Sequence, residues 1–73
     1  MNERQQITYM QVRLSRMASE RWQKPLGCVM GIFSTYQVLE YIRDCFGIFH
    51  VQGDETNLDD VESYLKKKGA CLS

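Results

Sequence analysis

Few side chains in this sequence are able to do chemistry, and one gates most of the options. His50 is the only histidine among 73 residues, so proton transfer near neutral pH and imidazole ligation of a metal both have to pass through it. Cys45 stands shortly before it. A thiol beside an imidazole is the arrangement of a cysteine hydrolase, in which the ring draws the proton from the nucleophile. The competing reading is structural: His50 bonds backbone at the Gly53 turn, and Cys45 lies on a buried helix face as a small inert hydrophobe. That reading is favoured, because a dyad needs a spatial closeness that spacing along the chain does not supply. No enzymatic activity is expected, and the Cys45–His50 hydrolase is the remote alternative.

The second chemically suggestive group is acidic: Asp54, Glu55, Asp59, Asp60 and Glu62. A calcium loop of the EF-hand kind needs oxygen ligands at alternating positions, a central glycine and a closing glutamate. Here Gly53 precedes the acids and Leu58 interrupts them, whereas a helix N-terminus accounts for Asp59, Asp60 and Glu62 through the helix dipole alone. Cys28, Cys45 and Cys71 are odd in number and widely spaced, which suits neither a disulfide framework nor a zinc site. No metal and no cofactor is expected.

Nine basic and nine acidic residues cancel, but their distribution is uneven. Arg4, Arg13, Arg16, Arg21 and Lys24 make the first third basic, and Arg13, Arg16, Arg21 and Lys24 would be the phosphate contacts of a small DNA-binding regulator. A dedicated nucleic-acid binder carries a net basic footprint, so this reading stands second to protein binding. Lys66, Lys67 and Lys68 read as a solvated helix end. Among the large apolar residues, Met10, Met17, Met30, Phe33 and Phe49 suit core stripes. Tyr9 and Trp22 are the candidates for exposed anchors, a role aromatics with arginine nearby often take at interfaces.

The elements that must position these residues follow from periodicity. Ile7, Met10, Leu14, Met17, Ala18 and Arg21 recur at three and four, predicting a helix over Glu3–Trp22, with Tyr9, Arg13, Arg16 and Glu20 solvated. Pro25 opens a second helix to Ser34 that buries Leu26, Val29, Met30 and Phe33, with Gly27 and Gly31 inviting close approach of another helix. A third runs from Tyr36 to Phe46, capped by a Ser34 or Thr35 hydroxyl and stopped by Gly47. Ile48 to Val51 is read as extended chain, one arm of a short hairpin closed by Gly53. The last helix is capped by Thr56 or Asn57, buries Leu58, Val61 and Leu65 and ends at Gly69, with acids in its first turns and lysines in its last.

A composition of 44% hydrophobic and 25% charged residues is that of a globular chain. Its longest uncharged stretch, Pro25 to Leu39, is too short and too polar for a membrane span. The polar run Asn2 to Gln6 is unlike a secretory signal, so a cytoplasmic protein is expected. The expected architecture is one helical domain over 1–73, a mainly α bundle of four short helices with at most a short hairpin near Gly53. A single core of this size rarely supplies more than about 3–5 kcal/mol, which points to support from a partner or a second copy of the chain.

Three runs carry a resemblance: Val38-Leu39-x-Tyr41-Ile42, then Phe46-x-Ile48-Phe49-His50-x-Gln52-Gly53, then Leu58-x-Asp60-Val61-x-x-Tyr64-Leu65. From Met10 to Gly69 the layout resembles a family of short bacterial domains of unknown function, often encoded beside ADP-ribosyltransferase-like proteins in toxin–antitoxin, phage or mobile-element settings. His50, Gly53, Asp60 and Tyr64 fall on its characteristic positions, while Val51 stands where the family tends to carry threonine. The resemblance implies a helical, non-enzymatic accessory protein, with an ADP-ribosyltransferase-like enzyme as its partner. The reading reached is a protein-binding module, a small neutralising or regulatory (antitoxin- or inhibitor-like) subunit that docks on a larger enzyme. Tyr9, Arg13, Arg16 and Trp22 form its contact face, and the acidic patch of Asp54, Glu55 and Asp59 forms a second one.

Overall fold

The computed structural model describes residues 2–71. Helix α1 (Glu3–Trp22) forms where the spacing predicts it. It opens with a reciprocal cap in which Asn2 Oδ1 accepts from the Gln5 amide at 2.9 Å and Gln5 Oε1 accepts from the Asn2 amide at 3.3 Å, satisfying two amide donors that have no helical acceptor. Helix α1 ends at Gln23, which takes the left-handed conformation (φ 52°) so that the Gln23 and Lys24 amides close back onto Glu20 and Ser19. The Ser19 hydroxyl reinforces the turn by donating to the Lys24 carbonyl at 2.6 Å.

Pro25 caps α2 (Leu26–Thr35), since its fixed φ suits a helix start and its missing amide costs nothing there. Only Val29 and Phe33 of α2 are fully buried; Leu26 and Met30, expected in the core, remain 44% and 37% exposed. The proposed close packing over Gly27 and Gly31 does not occur, because a Cβ at either position would meet nothing within 4 Å. Helix α2 meets the core along one narrow stripe, and its glycine face is open.

Helix α3 (Val38–Asp44) is shorter than expected. Its N-cap is Gln37, in a left-handed conformation (φ 57°), and no side chain caps it. The Thr35 hydroxyl donates backwards to the Gly31 carbonyl. The chain kinks at Cys45 and continues as the short α4 (Phe46–Phe49), so Gly47 lies inside a helical turn instead of ending one. The expected hairpin is absent, and no strand occurs among the described residues. The apolar run Ile48–Val51 closes as a helical turn, its amides donating to Cys45, Phe46 and Ile48 carbonyls. Helix α5 (Asp54–Lys67) begins at Gly53, ahead of the predicted Thr56 or Asn57 cap, so its first-turn acids are Asp54 and Glu55 instead of the expected Asp59, Asp60 and Glu62; it ends at Gly69 (φ 86°) as expected.

Helix α1 packs against α2, α3 and α5, and α3 against α4 and α5. Their buried faces form one cluster: Met10, Leu14 and Ala18; Val29 and Phe33; Val38 and Ile42; Phe46 and Phe49; Leu58, Val61 and Leu65. Among the described residues no helix is long and apolar enough to cross a membrane.

Candidate functional site

Alongside its core stripe, α1 carries a second stripe of Gln6, Tyr9, Met10, Arg13 and Arg16, brought onto one side by helical spacing. This stripe faces α4 and the connection to α5 across an open groove of about 570 Å³, whose other wall is Phe46, Phe49, His50, Gln52 and Asp54. The floor is apolar and closed, since Met10, Phe46 and Phe49 are buried. The rim is not: Tyr9 is 56% exposed, and Arg13 and Arg16 stand in solvent. The groove thus gathers Tyr9, Arg13, Arg16 and Asp54, together with His50 from the motif run.

Arg13 Nε donates to Asp54 Oδ2 at 3.2 Å across the groove. Arg16 makes no ion pair among the described residues. His50 stacks on Phe46, with ring centroids 5.3 Å apart, and its Nδ1 lies 3.3 Å from the Gly47 carbonyl oxygen. Its backbone partner is therefore Gly47, not the Gly53 turn. Cys45 is half-buried and neighbours Tyr41, whereas His50 is exposed.

The remaining candidates make contacts within the chain. Trp22 is half-buried, not an exposed anchor: its ring packs edge-on against Phe33 and its Nε1–H donates to Glu62 Oε2 at 2.6 Å. Glu55 and Asp59 keep 81% and 65% of their side chains exposed while also bonding within the chain. Both, with Glu62, surround Arg21 of α1 at 2.6, 2.7 and 3.2 Å. The Asp59 hydrogen bond, aided by Glu55 and Glu62, holds the Arg21 guanidinium above its ordinary pKa and outweighs the opposing effect of burial. The basic first helix and the acidic last helix are each other's partners, and two of the four cations read as phosphate contacts are paired.

The motif run builds a polar lock behind the groove. Asn57 is fully buried; its Nδ2 donates to the Phe49 carbonyl and its Oδ1 accepts from Gln52 Nε2, both at 2.8 Å. Gln52 Nε2 also reaches Asp60 at 3.3 Å. Tyr64 donates its hydroxyl to the Tyr36 carbonyl at 2.7 Å, stacks on Tyr41 at 4.1 Å and lies beneath the Lys68 ammonium. Gly53, as the N-cap of α5, and Asp60, through Gln52, thus hold the α4–α5 connection that forms one groove wall, while Tyr64 ties α5 to α3 and the turn before it. Gln11, which sequence reasoning passed over, donates to the Leu39 carbonyl at 2.8 Å and ties α1 to α3. No local pattern marks that contact. No group of three His, Cys, Asp or Glu residues suited to a metal ion occurs among the described residues.

Fold and groove together define a small helical domain whose open concavity has an apolar floor and a charged, aromatic rim. Residues 10–68 match a family model described as "Protein of unknown function (DUF3791)"; the match covers most of the chain, which belongs to that family. No curated protein and no solved structure matches the chain.

Proposed function

We propose that this protein is a non-enzymatic binding module that docks on a larger protein through the groove between α1 and the α4–α5 connection. One observation carries the reading: Tyr9, Arg13 and Arg16 are presented together on a buried apolar floor. Exposed aromatic and arginine side chains around a desolvated centre are what interfaces favour. Trp22 leaves the contact set, being half-buried and engaged within the chain, and the exposed Glu55 and Asp59 lie on the Arg21 cluster outside the groove. In its finer form the module is a regulatory or neutralising subunit acting in the cytoplasm. An ADP-ribosyltransferase-like enzyme is the partner suggested by the resemblance described above.

The test is affinity capture from the native host, with the wild-type chain and a Tyr9→Ala/Arg16→Glu variant side by side, quantified by mass spectrometry. Both side chains are solvent-facing, so the variant should keep its helical circular dichroism. The proteins retained by wild type should be depleted on the variant. Identical captured sets on the two baits would refute groove-mediated docking.

A further inference from the structure

We propose that the groove receives a partner segment bearing a carboxylate beside an apolar side chain, and that Asp54 holds that carboxylate's place on Arg13 while the groove is empty; this rests on the docking reading above. Charge complementarity argues for an acidic occupant. The groove carries two arginines against one carboxylate, and Asp54 is already committed to Arg13, so one positive charge, that of Arg16, is left on the rim without an ion pair among the described residues. The Arg13–Asp54 contact is built to exchange. It uses only Nε of the guanidinium, leaving the terminal nitrogens free for the two-point grip that arginine makes on a carboxylate. Both side chains are also substantially exposed, at 51% and 38%, and pairs of that kind are held weakly. An incoming acidic side chain would meet Arg16 directly and displace Asp54 from Arg13, while its apolar neighbour settles between Tyr9 and Phe46.

The experiment is selection of a displayed random peptide library on the immobilised full chain, followed by binding measurements with the enriched peptides. Enriched sequences should place Asp or Glu next to a large apolar residue. Their affinity should fall at least about tenfold on Arg16→Glu and on replacing the peptide carboxylate by its amide, and rise about three- to tenfold on Asp54→Asn. Asp59→Asn, which changes the net charge equally but lies on the Arg21 cluster, should leave it unchanged. Enrichment of neutral or basic peptides that still respond to Tyr9→Ala would overturn the acidic occupant and leave the docking groove standing. An acidic peptide whose affinity is equal on wild type and Asp54→Asn overturns the place-holding role. Enriched peptides indifferent to both Tyr9→Ala and Arg16→Glu, or no enrichment, overturn the groove itself.

Discussion

Asn57 shows how much a single polar side chain carries in a chain this small. It is fully buried and satisfies the last carbonyl of α4, so Asn57→Ala would strand the Phe49 oxygen and leave the Gln52 amide only its longer contact to Asp60. The expected loss is about 1–3 kcal/mol, read as a lowered urea midpoint with the slope unchanged. Trp22 belongs beside it: Trp22→Ala removes the Phe33 contact and leaves Glu62 without its indole donor, costing about 2–3 kcal/mol. A binding defect of that variant would accordingly follow its loss of fold, measurable by thermal melting. Tyr41 supplies a pH signature. Burial, and then the neighbouring Cys45 and Asp60, push its phenol from 10.0 up to about 12. The unfolded chain therefore gives up this proton first, and the stability tied to the neutral phenol is full below 10.0 and lost as pH rises towards about 12. Denaturation midpoints should fall through that window, and less steeply in Tyr41→Phe. None of these three roles was legible from spacing, because each depends on a partner brought up from another element or across a turn.

At the scale of elements, the two ends where helices stop compare usefully. Helix α5 terminates at Gly69 and α1 at Gln23, both left-handed, both closed by paired backward amide bonds. Glycine bears that conformation freely and glutamine does not. Gln23→Gly should therefore stabilise the domain by about 0.5–1 kcal/mol, net of the freedom glycine adds to the unfolded chain, and Gly69→Ala should destabilise it by about 1 kcal/mol; thermal melts of the two variants test both signs. The bounds of α1 and the buried line Leu58, Val61 and Leu65 of α5 were legible because amphipathic periodicity runs unbroken through them. The stretch from Ile48 to Gly53 was not. Its apolar residues suit a strand or a helical turn equally, and the choice went to helix when Asn57 and Gln52 supplied partners that a hairpin arm would have sought across a turn.

For the whole molecule, charge joins α1 to α5: Arg13 pairs one-to-one with Asp54, and Arg21 is surrounded by Glu55, Asp59 and Glu62, which leaves that cluster net acidic. The isolated chain should fold to its full helicity with only about 3–5 kcal/mol of stability, measured by urea titration. Tyr9→Ala and Arg16→Glu should each shift that value by less than about 0.5 kcal/mol, since both residues face solvent; a larger loss would mean that the groove rim supports the core. By itself the sequence determined the helical class, the long first helix, the lysine-rich end of the last and the residues of most buried stripes, because these are set by side-chain spacing within one segment. Which charges meet, that Trp22 is covered and where a groove opens were decided only by tertiary structure. Those outcomes depend on how helices distant in the chain are turned against one another, and no periodicity within a single helix encodes that angle.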